Sequence, residues 1–329
     1  MARGTNQKFK LLRLAEIMLQ KTDEENYITM PEILAELEKY EITAERKSIY
    51  QDLQDLSEFG IEVEGEQYGR AFYYHVVSRQ FELPELKLLV DAIQSSKFIT
   101  AKKTNQLIKK LETLCSEEQA KELQRQVIVQ GRIKTMNETI YYSVDEIHNA
   151  INENRKIAFQ YFNWNEKKEM ELRHDGNYYC VSPWALTWDD ENYYMVGYDS
   201  EDEKIKHYRV DKMLKIYTVD EYRDGKEHFK EFNAADYAKK NFSMFGGTEE
   251  EVTLEVSNDM CGIFIDRFGK DISIVPAGKG KSRIHLKVAL SSHFISWIFA
   301  LGEGVKITGN KAVLEAVDAE ISRLVKQYK

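Results

Sequence analysis

From Leu11 to Ile151 the apolar residues recur every three or four positions, apart from one short ribbon, and from Lys156 to Val219 they come instead in short runs cut by turns. Spacing of three and four puts apolar side chains on one face of a helix, whereas short runs cut by turns build sheet. That change of period constrains the fold more than anything else in the chain. It divides 329 residues into regimes that do not share one core, and a chain of this length has room for two or three. The expected class is α+β and multidomain.

Residues 1–78 read as three short helices and a hairpin. Leu11, Leu14, Ala15 and Met18 give the first helix, over 7–20. Thr29 and Glu32 form a capping box with Pro31 in the first turn, and the second helix buries Ile33, Leu34 and Leu37. Thr43 is the expected N-cap of the third. In that helix Ile49, Leu53 and Leu56 face a core, so Arg46, Lys47, Tyr50, Gln51 and Gln54 fall on the other side, with Ser48 beside them. Arg and Lys read guanine or neutralise phosphate, Gln pairs with adenine, and Tyr donates to phosphate. Gly60 ends the helix. Two strands follow, Ile61–Glu64 and Ala71–His75, with Arg70 near the ribbon tip. Three helices and a ribbon are the layout of a winged helix-turn-helix, with Lys8 and Arg3 supplying further positive charge. The segment is not basic overall, so a small helical domain with a solvated third helix is the competing reading.

Residues 79–142 read as a helical connector. Pro84 opens a helix with Leu88, Leu89, Ala92 and Ile93 on one side, and a second helix runs through Leu107, Ile108, Leu111 and Leu114. Ser116 and Gln119 cap a third, through Leu123 and Val127. Ser143 and Glu146 cap a fourth, burying Ile147, Ala150 and Ile151. Cations from Lys97 to Lys134, Arg125 and Arg132 among them, outnumber the acids; they touch flanking DNA backbone or simply solvate the helices.

Residues 143–220 turn aromatic, in strands at Lys156–Phe162, Tyr178–Leu186, Asn192–Tyr198, Lys204–Val210 and Met213–Val219. Tight links such as Asp189-Asp190-Glu191 suggest a small barrel. His207 and Arg209 share a face, as do Tyr193 and Met195, with Tyr194 opposite the latter pair. Arg beside His and Tyr grips a phosphate while an aromatic ring stacks on a base. In the alternative, Tyr193, Tyr194 and Trp184 are core and Arg209 pairs with Asp211.

The runs Pro183-Trp184-Ala185-Leu186, Tyr193-Tyr194-Met195-Val196-Gly197-Tyr198-Asp199 and His207-Tyr208-Arg209-Val210-Asp211-Lys212-Met213 resemble the signature of WYL domains. In this chain the family's Trp-Tyr-Leu triplet reads Tyr193-Tyr194-Met195, and its second arginine is Lys212, a point charge without the bidentate fork. The stretch Arg46-Lys47-Ser48-Ile49-Tyr50-Gln51-Asp52-Leu53 is similar to the recognition helix of winged helix-turn-helix regulators that carry WYL domains. The resemblance implies an Sm-like barrel that binds an effector, a single-stranded nucleic acid or a nucleotide. Tyr161, Trp184, Tyr193, Tyr194, His207, Arg209, Asp211 and Lys212 would be its contacts.

Residues 221–248 read as a linker with a short helix at Ala234–Lys240. Residues 249–329 follow the order β-α-β-β-α-β plus a helix, a ferredoxin-like pattern. Trp297 with Leu301-Gly302 resembles the C-terminal extension common in WYL regulators, which implies a cover for the ligand site or a dimer contact. Gly280-Lys281-Ser282 lacks the first glycine of a phosphate-binding loop, and Gly278–Ser282 reads as a turn.

Net charge is −9, which argues against a protein coated in nucleic acid but not against one basic face. Three scattered cysteines, Cys115, Cys180 and Cys261, make no disulfide framework or zinc site. No metal, cofactor or catalytic constellation is expected. No apolar run spans a bilayer and no leader follows Met1, so the cytoplasm is the default. The leading expectation is a homodimeric, ligand-responsive transcriptional regulator on a pseudo-palindromic double-stranded operator. The alternative is a single-strand nucleic-acid-binding accessory protein whose N-terminal domain docks a partner.

Overall fold

The computed structural model describes residues 6–125, 134–189, 191–230, 233, 237, 239–242, 244 and 246–329. Arg3, Val127, Arg132, Asp190, most of 231–238 and the side chain of Arg125 lie outside them. The described residues are 45% helical and 31% strand, an α+β composition. It divides into two compact units, residues 1–136 and 137–329.

In the first unit α1 (Lys10–Lys21), α2 (Met30–Glu38) and α3 (Arg46–Phe59) enclose a core of Leu14, Ile17, Ile33, Leu37, Ile49, Leu53 and Leu56. The Thr29–Glu32 capping box forms as read. Leu11 is turned outward because the stripe on α1 runs Leu14, Ile17, Met18. Helix α3 starts two residues later than expected, with Glu45 in place of Thr43 as N-cap. It ends at Gly60, whose φ of 108° needs no Cβ. The sheet order is β1 (Ile28–Thr29), β3 (Ala71–Val76), β2 (Val63–Tyr68), so the ribbon gains a short third strand.

Helices α4 (Leu83–Ser95), α5 (Ala101–Glu112) and α6 (Glu117–Arg125) complete this unit around Leu86, Val90, Ile108, Cys115 and Leu123. The Leu88, Leu89, Ala92 face expected for α4 is the solvent face, with Leu88 70% exposed. Leu86, Val90 and Ile93 make the inner stripe at the same helical spacing, which the adjacent leucines obscured. Ser116 and Gln119 cap α6 as read.

In the second unit α7 (Ile140–Asn152) begins before Ser143, which is buried in its first turns, so Ser143 is no cap. Its supposed partner Glu146 instead accepts from the Thr218 N–H at 2.8 Å and the Thr218 hydroxyl at 2.7 Å. The helix lies on a curled sheet ordered β5 (Met170–Leu172), β4 (Arg155–Trp164), β6 (Tyr179–Asp189), β7 (Asn192–Asp199), β8 (Lys204–Arg209). Strand β9 (Met213–Tyr222) returns to pair with β4. The expected five strands are therefore six; β5 was missed because all three of its residues are exposed and carry no alternation. Phe159, Met195, Val196, Tyr208 and Val210 fill the interior.

The remainder is a four-stranded antiparallel sheet ordered β11 (Ser273–Gly278), β12 (Lys281–Leu290), β10 (Thr248–Ser257), β13 (Val305–Gly309). Helices α8 (Cys261–Phe268), α9 (Ser292–Ala300) and α10 (Lys311–Tyr328) complete it, around Phe264, Phe294, Ile298 and Val313. The turn expected over Gly278–Ser282 is tighter: Gly278–Gly280 turn the hairpin, and Lys281 and Ser282 already pair within β12.

Candidate functional site

Two surfaces hold the residues singled out by the sequence, one in each unit. On α3, Ile49, Leu53 and Leu56 are buried, and the 3.6-residue period leaves Arg46, Lys47, Tyr50, Gln51 and Gln54 exposed. Arg46 and Lys47 form no ion pair among the described residues; Gln51 donates to Asp55 at 3.0 Å. Ser48 lies at the edge of the stripe, and its hydroxyl accepts from the Lys10 ammonium. Lys10 also pairs with the buried Asp52 at 2.7 Å, so one lysine of α1 ties down the flank of α3. Ser48 thus faces α1, with its hydroxyl already engaged.

Tyr50 leans on Tyr74 of β3, 6.5 Å away, and Tyr74 in turn on Phe72 at 5.1 Å. Burial, reinforced by the Tyr50 hydroxyl, pushes the Tyr74 phenol up to about 12. The Phe72 ring lies over Gly65 of β2, where a Cβ would come within 2.2 Å of it. The aromatic ladder fixes the ribbon against α3. Arg70 is exposed at the ribbon tip beside Gly69, and Lys8 is exposed in the turn before α1.

On the curled sheet, Tyr194 of β7 is directly opposite Arg209 of β8, and Val196 is opposite His207. Tyr194, His207 and Arg209 therefore share one face. Tyr193 points to the other and packs edge-on against Trp188 at 4.7 Å. Arg209 is held by its own strand end: Nε donates to Asp211 Oδ1 at 3.0 Å and Nη2 to Oδ2 at 2.8 Å. Nη2 also donates to Asn192 Oδ1 at 2.9 Å. This bidentate pair holds the guanidinium charged, above its ordinary range. Among the described residues Nη1 makes no hydrogen bond.

Tyr161 is buried, and its hydroxyl accepts from the Arg209 N–H at 3.1 Å. Burial lifts that phenol to about 12, so Tyr161 positions the arginine as a neutral group. His207 is drawn away from the arginine, its Nε2 2.9 Å from the Tyr237 hydroxyl. Burial lowers its pKa to about 4, which leaves it neutral and unable to serve as a cation near neutral pH. Trp184 is placed elsewhere: its ring lies between Phe229, at 4.8 Å, and the Arg223 guanidinium, at 4.1 Å. Its indole N–H donates to the Asp224 carbonyl at 2.8 Å.

Lys212, in the short turn after β8, has no hydrogen-bond or ion-pair partner among the described residues. Burial first, then the charges of Arg209 and Arg173, lower its pKa against the pull of Asp211. Arg173 follows β5, its N–H bonded to the Tyr161 carbonyl at 2.8 Å and its guanidinium 5.9 Å from the Tyr161 ring. The sequence reading missed Arg173 because it depends on the unseen edge strand. Three cations, Arg173, Arg209 and Lys212, thus sit within electrostatic reach around one carboxylate, Asp211. The local surplus is positive in a chain that is acidic overall.

Among the described residues no helix is long and apolar enough to cross a membrane, and no cluster of His, Cys, Asp or Glu could hold a metal ion. The curled sheet with its cationic face is where comparison with known proteins gives a result: residues 143–217 match the WYL domain. The match runs from the first turn of α7 to the middle of β9. No curated protein matches the chain. Among solved structures, proteasome accessory factor B/C (PafBC) of Arthrobacter aurescens is similar at 15% identity with a TM-score of 0.25. That match covers 94% of this chain and 46% of the other, so the chain spans about half the length of that structure.

Proposed function

We propose that the chain is a ligand-responsive, DNA-binding transcriptional regulator. In this reading residues 1–78 are a winged helix-turn-helix, with α3 in the major groove and the ribbon tip at Arg70 against an adjacent phosphate or groove. The WYL domain is a small Sm-like barrel that senses an anionic effector, and the C-terminal ferredoxin-like sheet is its extension. The observation that carries the reading is the outward stripe of α3. Five exposed side chains with the chemistry of base and phosphate recognition line a helix whose other face is packed, Tyr50 resting on Tyr74 and Gln51 on Asp55.

Arg173, Lys212 and the free Nη1 of Arg209 supply the cations for a phosphate or carboxylate effector, such as a nucleotide or a single-stranded nucleic acid. Effector binding shifts the population between two dispositions of the DNA-reading helices.

A gel-shift titration against genomic fragments tests the reading. A fragment retarded above nonspecific background at moderate salt is expected. Arg46→Ala should then lose about 1–3 kcal/mol of specific affinity and relax discrimination at one base pair. Arg209→Ala should leave ligand-free DNA affinity in place and change the response to effector. Retardation of no fragment, or retention of single-stranded oligonucleotides only, defeats the regulator; the latter result supports the accessory-protein alternative.

A further inference from the structure

The two compact units meet in sequence between Met136 and Asn137, and the short segment there is tied down at both ends. Lys134 belongs to the first unit. Its ammonium donates to the carbonyls of Ile93, at 3.3 Å, and Ser96, at 3.0 Å, where α4 runs out. It also donates to the Thr104 hydroxyl of α5 at 2.9 Å. A lysine at this place satisfies carbonyls that have no partner within their own helix. The Thr135 N–H donates to the Lys97 carbonyl at 2.8 Å. Residues 134–137 form no helix or strand, so side chains and these bonds hold them.

Asn137 opens the second unit, and each donor and acceptor position of its amide is engaged. Nδ2 donates to the Asp211 carbonyl at 3.2 Å and to the Met213 carbonyl at 3.1 Å. Oδ1 accepts from the Thr139 N–H at 3.0 Å and the Thr139 hydroxyl at 2.8 Å. The first two bonds grip the turn after β8 on either side of Lys212, and the other two set the start of α7. That turn carries Lys212 and the carboxylate that clamps Arg209.

One residue, Met136, stands between the Thr135 and Asn137 ties, and it is 74% exposed. Two peptide units reach at most about 7 Å. A turn that moves must therefore draw Thr135 with it or give up the Asn137 bonds. Within the first unit α5 packs against α6. At the start of α6, Glu117 pairs with Lys21 of α1 at 2.7 Å, and the Ser116 hydroxyl donates to the buried Asp23.

We propose that Asn137 is a positioning residue that couples the cationic turn of the curled sheet to the DNA-reading unit, with Lys134 as its anchor there. An anion drawn onto Lys212 and Arg209 shifts the turn, and the shift reaches the end of α4 and the start of α5 along the main chain. The inference rests on the anion-sensing reading of that turn, but the link itself can be measured without an anion. Contiguous bonds couple two places only if a change at one end is felt at the other.

Hydrogen–deuterium exchange of the full chain, read by mass spectrometry, measures that response. The turn is perturbed in two ways: by inorganic tripolyphosphate, and by Asp211→Asn, which loosens the clamp on Arg209 with no ligand present. Each should change exchange at residues 93–105 by about fivefold or more. Asn137→Asp keeps the acceptor for Thr139, and with it the start of α7, but sets a carboxylate against the Asp211 and Met213 carbonyls. In that background the turn should still respond while residues 93–105 fall silent. Lys134→Met should give the same split from the other end, with circular dichroism to confirm folding of each variant. Residues 93–105 that ignore Asp211→Asn in the parent chain, or that go on responding in either the Asn137→Asp or the Lys134→Met chain, would overturn the coupling. If they answer to Asp211→Asn while no part of the chain answers to tripolyphosphate, the coupling stands and the anion-sensing reading fails. Retardation of no DNA fragment bears on the regulator reading alone.

Discussion

His207 shows how a single side chain can be present in a site and absent from its charge. Burial holds its pKa near 4, below the ordinary value of 6.5, and the Tyr237 hydroxyl occupies Nε2. A histidine depressed on folding takes up its proton in the unfolded chain first. Stability is therefore full above about 6.5 and falls as the pH drops toward 4, by about 3 kcal/mol over the window. His207→Gln should flatten that slope in urea titrations at successive pH values; an unchanged slope would show that the group titrates normally. Strand alternation did reveal in the sequence that His207 and Arg209 share a face. It could not reveal that Tyr237, some thirty residues on, would claim the imidazole. Tyr194 is on the arginine's face because register is fixed by pairing across strands, which a single strand does not display.

At the scale of elements, the tie between α1 and α3 runs through Lys10. It pairs with a buried Asp52 and donates to Ser48, so removing it strands a carboxylate in the core. Lys10→Met should destabilise the first unit by about 3 kcal/mol, and Lys10→Met with Asp52→Leu should recover most of it. Thermal melts of the two variants check this, and equal losses in both would mean that the pair contributes little beyond packing. Elements with a capping residue and one apolar stripe, such as α2 and α6, were legible. Helix α4 was placed in the right stretch but rotated, because Leu88 and Leu89 compete with Leu86 and Val90 at the same period. Helix α7 was entered too late, because Ser143 and Glu146 fit a cap, while Ser143 bonds back to the Thr139 carbonyl one turn earlier and Glu146 reaches across to Thr218.

Over the whole molecule, an acidic chain of net charge −9 keeps a positive surplus at one place on the curled sheet that matches the WYL domain. Polyvalent anions should raise the melting temperature of the second unit, and Arg173→Gln with Lys212→Gln should abolish that shift; a shift unchanged in the double variant would place the anion elsewhere. Burial and neighbouring charge lower the Lys212 pKa, so the affinity should fade at lower alkaline pH than for an ordinary lysine. If the cationic face takes up anions as proposed, Asp211 selects among them. Its carboxylate already satisfies Nε and Nη2 of Arg209 in the manner of a tethered ligand. A small monovalent anion must evict a resident that never diffuses away, and it loses that contest on effective concentration alone. An extended polyanion would leave the resident in place and span the three remaining donors. Chloride and acetate should therefore leave the melting temperature unmoved, and only molecules large enough to bridge should raise it.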